Sequence, residues 1–533
     1  MARETLFFWA LLAVFVLALA SRWLKKPEPI VFVIGGLVFS FLPGVPRFDL
    51  PPDLVFLLLL PPLLFSNAWT TDYRDFMRWR RPILALALGL VAFTTVVVAY
   101  AAHLTMGLPL AAAFVLGAIL SPTDAVGVEA VAKQFPLPRP LVAIAGGESL
   151  VNDASALVIF AFALGAVETG SFAPLAAIGQ LLYVSIVGIA IGLACGWGLA
   201  QFLFLLRRSG LLDAQLTVIY TLITPYIVYL LAQGAHASGV LSAVAAGFYL
   251  SRRSPALFSG GDEQVALFGF WTVFNFFFNG VAFLLIGLQF RSVFAGMHGH
   301  PIGELMRDAA LLCLLLVVLR FVWTFAAINA WRLQPSRLER EGPAPPLSWI
   351  VLLSWAGMRG IVTLAAALAV PAEISPGVPF PDRDFIVFAA FCVIVFSLVV
   401  QGGTLGWLAR VLGVTGEAGS EDAALRLARA QGARAALARL TELETGFDST
   451  VEWEIAGRIR DSYRALIEAM SDDPRSSVPS AGERSHVIEG RLRRELLDAE
   501  RAGLHALRSD GSMRESVVRD AEWYVTLAES RLQ

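Results

Sequence analysis

Between Leu141 and Val167 the chain runs for 27 residues that are largely apolar, with a polar insertion at Glu148-Ser149-Leu150-Val151-Asn152-Asp153. At about 1.5 Å of rise per residue, a helix of this length crosses a bilayer with some tilt. Two carboxylates and an amide at membrane depth are expensive, and such groups mark an ion or proton pathway. Helical spacing sorts them onto two faces. Ser149 and Asp153 share one, and Glu148 and Asn152 share the next. The reading is that Asp153 carries the transported ion and Glu148 holds the site together.

The same material extends well beyond this run. Residues 5–411 are a succession of long apolar stretches, and residues 412–533 are different in kind. The chain as a whole is 57% hydrophobic and 16% charged, outside the range of soluble domains on both counts. The reading is an all-α polytopic membrane protein, with a transmembrane domain at 1–411 and a helical cytoplasmic regulatory tail at 412–533. The net charge of −2 averages over two unlike parts and says little about partners. Cys195, Cys313 and Cys392 lie far apart within apolar runs, as small core residues do, and suggest neither a disulfide framework nor a metal site. Residues 5–20 end in Ala18-Leu19-Ala20, which resembles a signal-peptide cleavage site. Arg22, Lys25 and Lys26 follow at once, as at the cytoplasmic end of a retained helix, and the segment is read as retained.

Thirteen spans are expected, at 5–24, 28–42, 52–70, 82–106, 109–132, 139–166, 173–206, 213–233, 235–251, 264–290, 303–332, 347–371 and 383–411. Only Gly or Pro separates the runs at 106/109 and 233/235. With the N-terminus outside, the inner loops carry sixteen basic residues: Arg22, Lys25, Lys26, Arg74, Arg78, Arg80, Arg81, Lys133, Arg139, Arg207, Arg208, Arg252, Arg253, Arg332, Arg337 and Arg340. The outer segments carry five: Arg3, Arg47, Arg291, Arg307 and Arg383. This asymmetry obeys the positive-inside rule, places the tail in the cytoplasm, and supports the count, since one missed span would scramble the alternation. The expected location is the inner (plasma) membrane.

Two spans look broken. Ser121-Pro122-Thr123-Asp124 interrupts the fifth, where proline removes a helix hydrogen bond. Gly357-Met358-Arg359-Gly360 interrupts the twelfth. Interrupted spans at corresponding places in two halves point to a transporter binding site, and the offset of seven spans suits inverted repeats. Half-helices present partially positive N-terminal and partially negative C-terminal ends, which Asp124 and Arg359 are placed to compensate.

In the tail, 421–446, 450–470 and 483–507 have helical periodicity, and Asp472 to Ser480 reads as a linker. The tail holds 22 acidic residues against 17 arginines and has no Gly-rich phosphate loop or Cys/His cluster, so neither nucleotide, nucleic acid nor metal binding is indicated. No cofactor is expected, and the chain is not read as an enzyme.

Burial disfavours the charged form of a membrane carboxylate, which therefore takes up either a proton or a hard cation. Competition of the two for one charge yields antiport once access alternates. Asp124 is either a cation ligand or a cap for the helix break. Ser149 and Thr123 are candidate ligands, although such hydroxyls often bond back to their own helix.

Ser121-Pro122-Thr123-Asp124-Ala125-Val126, Gly146-Gly147-Glu148-Ser149-Leu150-Val151-Asn152-Asp153 and Gly357-Met358-Arg359-Gly360 resemble the three signature segments of the cation:proton antiporter-1 family, the NhaP-like bacterial antiporters and animal sodium/proton exchangers. The resemblance covers about residues 5–411 and leaves out the tail. It implies a thirteen-helix homodimer in the lipid bilayer, with a core domain moving against a dimerisation domain, exchanging Na⁺ or Li⁺ for H⁺. By position it makes Asp153 the ion-binding aspartate with Thr123, Asp124 and Ser149 beside it. It pairs Glu148 with Arg320 as a structural ion pair, in keeping with the need of a buried carboxylate for a compensating charge. Arg359 is also read as structural. Asn152 matches a position where a second aspartate accompanies electrogenic exchange in relatives, so asparagine suggests electroneutral exchange.

One departure stands out. Many relatives carry an acid in the third span shortly after Leu-Leu-Phe, and here Leu63-Leu64-Phe65 is followed by Ser66 and Asn67, either of which supplies only a neutral oxygen. The segment Ala237-Ser238-Gly239-Val240-Leu241-Ser242 fits the family's Gly-rich interface pattern and is read as close helix packing. His103 and His236 fall at outer span ends and carry no assigned role. K⁺/H⁺ exchange by the same fold and a transport-inactive sensor are the alternatives. A membrane aspartyl protease would need a Gly-x-Gly-Asp setting that neither aspartate has. A channel fits a single buried carboxylate with a companion arginine less well than alternating access does.

Overall fold

The structure is a computed structural model, and it describes residues 2–42, 55–132, 135, 137–170, 174–257, 261–297, 301–332, 346–375, 377–414, 420–446 and 449–471. The chain divides into two compact units, 1–416 and 417–533.

The larger unit is helical almost throughout. Its helices are α1 (Ala2–Leu24), α2 (Glu28–Ser40), α3 (Leu60–Thr70), α4 (Tyr73–Arg78), α5 (Arg80–Met106), α6 (Leu110–Leu120), α7 (Val126–Ala132), α8 (Arg139–Thr169), α9 (Pro174–Arg208), α10 (Ala214–Gly234), α11 (Gly239–Leu257), α12 (Gly261–Leu288), α13 (Phe290–Ala295), α14 (Ile302–Arg332), α15 (Leu347–Trp355), α16 (Ile361–Leu368) and α17 (Arg383–Val411). Among the described residues, seven helical stretches are long and apolar enough to cross a membrane: α5, α8, most of α9, α10, most of α12 with α13 up to Phe294, most of α14, and α17. The fifth and twelfth expected spans are each split in two, at 121–125 between α6 and α7 and at 356–360 between α15 and α16. The runs that only Gly or Pro separated do part: α5 stops at Met106 before Pro109, and α10 ends at Gly234, four residues before α11 begins. A short hairpin, Glu373–Ser375 paired with Val378–Pro379, follows α16 and was not expected from the sequence. Lys133, Arg47, Arg337 and Arg340 lie outside the described residues.

Helix packing places the polar breaks in the interior. One apolar cluster includes Phe32, Phe283, Ile286, Phe391 and Ile394, joining α2, α12 and α17. A second includes Leu116, Ile119, Leu312, Leu316 and Ile386, joining α6, α14 and α17. Large side chains such as Phe15, Leu205 and Phe268 are exposed, as expected where the neighbour is lipid rather than water. Lipid supplies no hydrophobic drive for helix association, so close van der Waals fit must do so. On α9, Gly188, Gly192 and Gly196 recur every fourth residue against Ser238, Ser242 and Ala246 of α11 and the residue before it. A Cβ on Gly192 would lie 2.3 Å from the Ser242 carbonyl oxygen. The 237–242 segment thus serves as a close packing surface.

In the smaller unit, α18 (Ser420–Glu444) and α19 (Thr450–Ser471) pack on each other around Ala430, Ala433 and Ala456. Ser449 and Glu452 form a reciprocal cap at the start of α19: Glu452 N–H donates to Ser449 Oγ at 3.2 Å and Ser449 N–H to Glu452 Oε2 at 3.0 Å. Arg460 and Glu444 form an ion pair between the helices. The expected linker Asp472–Ser480 and helix 483–507 lie outside the described residues.

Candidate cation-binding site

The two breaks cross beside α8. The Asp124 N–H donates to the Met358 carbonyl oxygen at 2.7 Å, tying one interrupted segment to the other. A helix leaves its last carbonyls and first N–H groups unpaired, and in a membrane interior each needs a protein partner. The C-terminal carbonyl of Leu120 accepts from Arg359 Nε at 3.3 Å, and a second bond from the guanidinium goes to the Gly357 carbonyl. At the start of α7, Asp124 Oδ1 accepts the Val126 N–H at 2.8 Å, and Ser149 Oγ accepts the Ala125 N–H at 3.2 Å. A negative group at a helix start and a positive one at a helix end both match the macrodipole.

α17 supplies the rest. A π-helical turn at Ser397–Gly402 projects Ser397 and Gln401 inward. Ser397 Oγ accepts the Arg359 N–H at 3.0 Å, and Gln401 Nε2 donates to the Trp355 carbonyl at the end of α15 at 3.2 Å. Two glycines make the crossing sterically feasible. A Cβ on Gly360 would sit 1.7 Å from Asp124 Oδ2, and one on Gly357 would sit 2.4 Å from Arg320 Cδ.

The two faces of α8 do different work. On one face, Glu148 pairs with Arg320 through two parallel bonds, Nη1 to Oε1 at 2.6 Å and Nη2 to Oε2 at 2.9 Å, both residues being 3% exposed or less. Such bidentate geometry satisfies both ions at once. Thr123 Oγ1 donates to Glu148 Oε1 at 2.8 Å and accepts from Asn152 Nδ2 at 2.8 Å, and the same amide reaches the Thr123 carbonyl at 3.1 Å. Asn152 and Glu148 thereby fix the first break to α8.

On the other face, Ser149 and Asp153 line a cavity of about 30 Å³. Its walls include Thr123, Asp124 and Val126 from the first break and Gly360, Ile361 and Thr363 from the second. Leu60, Leu63, Leu64 and Asn67 of α3 and Asn279 of α12 also line it. Asp153 is 7% exposed, and its carboxylate accepts no hydrogen bond and forms no ion pair among the described residues. A cavity of this size holds one or two waters. A cation entering it must exchange most of its hydration for protein oxygens.

Asp153, Asp124, Thr123 and Ser149 therefore meet at one cavity, with Asn152, Glu148, Arg320 and Arg359 packed behind it. Ser66 does not line it: its hydroxyl accepts from Asn275 Nδ2 at 2.6 Å, and its neighbour Asn67 takes the lining position. Asn279 and Thr363 were not anticipated. Asn279 is a polar residue within an apolar run, which is a signal of the right kind, but Asn275 four residues earlier gives the same one. His103 Nδ1 lies 2.7 Å from the Leu108 carbonyl oxygen, just past the end of its own helix.

The profile of the transmembrane sodium/hydrogen exchanger family matches residues 10–411. The chain belongs to the sodium/hydrogen exchanger family. Among the relatives of this chain, a sodium, potassium, lithium and rubidium/H⁺ antiporter of Bacillus pumilus is 32% identical over 404 residues. That match takes in 74% of this chain and 60% of the relative, so the chain spans less than two thirds of that protein's length. An uncharacterized Na⁺/H⁺ exchanger of Mycobacterium tuberculosis is 31% identical over 96% of this chain and 93% of its own. The solved structure of the sodium proton antiporter MjNhaP1 from Methanocaldococcus jannaschii superposes with a TM-score of 0.58 at 18% identity, covering 77% of this chain and 99% of that one. The chain thus shares that antiporter's fold.

Proposed function

We propose that this chain exchanges Na⁺ or Li⁺ for H⁺ across the membrane, one for one, by competition of cation and proton for Asp153. The observation that carries the proposal is the solitary state of that carboxylate: buried, lining a cavity, and without a hydrogen bond or ion pair among the described residues. A bare charge in such a place is too costly to persist, so either a proton or a cation must neutralise it. In the mechanism, Asp153 alternates between the two, Asp124 and Ser149 offer further oxygens, and Thr123 orients the first break. Glu148, Arg320, Asn152 and Arg359 hold the frame.

The balance of charge supports an electroneutral cycle. Glu148, Asp124 and Asp153 contribute three carboxylates around the break, and Arg320 and Arg359 two guanidiniums. One net negative charge remains, which one proton or one monovalent cation cancels. An amide at Asn152 instead of an acid keeps that count.

The wider architecture proposed is thirteen spans with inverted repeats, the N-terminus outside and a regulatory tail in the cytoplasm. The site is carried on a core that moves against a dimerisation domain in a homodimer. Support comes from the family and from the seven-span offset of the two breaks. K⁺ as substrate is the second reading, favoured by the potassium and rubidium in the name of the Bacillus relative.

The test is proton flux in proteoliposomes on addition of Na⁺, Li⁺ or K⁺, with the membrane potential clamped and unclamped. Flux with Na⁺ and Li⁺ that ignores the potential is expected, whether or not K⁺ also drives it. Flux with K⁺ alone keeps the mechanism and changes the substrate. Flux with none of them refutes transport and leaves a sensor built on this fold.

A further inference from the structure

The cavity has two chemically unlike walls. One is formed by the breaks and α8 and carries the charge, on Asp153 and Asp124, with Ser149 beside them. Much of this wall's oxygen is already engaged. Asp124 Oδ1 holds the Val126 N–H, and Thr123 Oγ1 is committed to Glu148 and Asn152. The part of the lining from α3 and α12 is apolar except for the amides of Asn67 and Asn279. Neither amide side chain has a hydrogen-bond partner among the described residues. Both residues are half-buried, so their amide groups stay open to the space they line. Two unpaired amides facing one small cavity are therefore placed to meet whatever enters it. They fall on the third and tenth expected spans, the same offset of seven that separates the breaks.

We propose that Asn279, together with Asn67, completes the coordination of the bound cation with neutral amide oxygens and so determines which alkali cations the site accepts. The inference rests on the cavity being the ion site. A site that strips a cation of its water must return the hydration energy, which is greatest for the smallest ions. Carboxylates do this best for Li⁺ and Na⁺, since Coulomb attraction rises as the contact shortens. Amide dipoles have a weaker field and return less, which narrows the advantage of small ions over large ones. With charge on one wall and amides on the other, the site accepts K⁺ and Rb⁺ alongside Na⁺ and Li⁺. Replacing an amide oxygen by a carboxylate restores the preference for the smaller ions.

The experiment uses the full chain in proteoliposomes and reads proton flux against Na⁺ and K⁺ concentration for the parent, Asn279→Asp and Asn279→Ala. The parent is expected to exchange both cations. Asn279→Asp should move the ratio of apparent affinities toward Na⁺ about tenfold. Asn279→Ala should raise the apparent KM for both ions more than it lowers the maximal rate, because it removes a ligand and leaves Asp153 in place. Asn67→Asp should move selectivity in the same direction as Asn279→Asp. Cation-dependent shifts in melting temperature of the detergent-solubilised protein give the same ratios where a variant does not transport. An unchanged Na⁺/K⁺ ratio in both aspartate variants, or a parent that transports Na⁺ and rejects K⁺, overturns the inference and leaves the antiport reading standing. A parent inactive with every cation removes the antiport reading and this inference with it, and flux that survives Asp153→Asn moves the ion site away from this cavity and overturns the inference.

Discussion

Arg320 and Glu148 meet face to face through two hydrogen bonds of 2.6 and 2.9 Å, from α14 to α8, 172 residues apart in the chain. Thr123 bonds the same carboxylate at 2.8 Å, so the pair anchors the first helix break as well as α8.

Glu148→Gln leaves Arg320 charged and uncompensated. Breaking a buried pair on one side costs about 3 to 5 kcal/mol. Thermal unfolding of the purified protein should show a clear loss, and the double variant Glu148→Gln, Arg320→Met should recover part of it. Equal stability of the single variant and the parent would show that the pair bears no such load.

Asp153→Asn removes the charge and keeps the shape. Because this carboxylate makes no bond to a described residue, the substitution should barely change the melting temperature while abolishing cation-driven proton flux. Residual cation-dependent flux would remove Asp153 from its proposed role.

Gly360→Ala tests the crossing. The new methyl would arrive 1.7 Å from Asp124 Oδ2, and Asp124 lines the cavity. The carboxylate must swing away or the second break must shift, so exchange should fall by about two orders of magnitude, the scale on which small misplacements of a reacting group act. Parent-like flux in a well-folded variant would mean that Asp124 is free to relocate without consequence.

Asn152→Asp adds a carboxylate and removes the amide that donates to Thr123. The site then needs two positive charges for neutrality, and exchange should become sensitive to membrane potential. Flux that still ignores the potential would refute the charge count.

Removal of residues 417–533 takes away a unit that is compact by itself. Cation-driven proton flux should persist, with any change confined to its dependence on pH. Complete loss from a well-folded truncation would make the tail part of the transport machinery.

Much of the site was legible in sequence because its chemistry is locally encoded. Residues 148, 149, 152 and 153 lie on one helix, and a four-residue spacing alone separates the Glu148–Asn152 face from the Ser149–Asp153 face. Pro122 and the Gly357–Gly360 segment marked the breaks, since proline and glycine weaken a helix wherever they stand. The unpredicted hairpin at 373–379 and the π-helical turn at 397–402 left no comparable mark. The turn's residues, Ser-Leu-Val-Val-Gln-Gly, read as ordinary span, and its purpose appears only once Trp355 and Arg359 lie against it.

The sequence by itself determined that the chain is a membrane protein, where its helices break, and which carboxylates share a face. These follow from apolar length, backbone chemistry and helical periodicity, all of which act within a few turns. The tertiary structure decided which side chains meet across helices. It turned Ser66 to Asn275 and gave Asn67 the cavity, although the two are adjacent in the chain. It brought Asn279 and Thr363 to Asp153 from far along the sequence. Whether a polar residue on one helix reaches another depends on how both are rotated and packed. That rotation is set by close contacts such as Gly360 against Asp124 and Gly192 against Ser242, which no local pattern records.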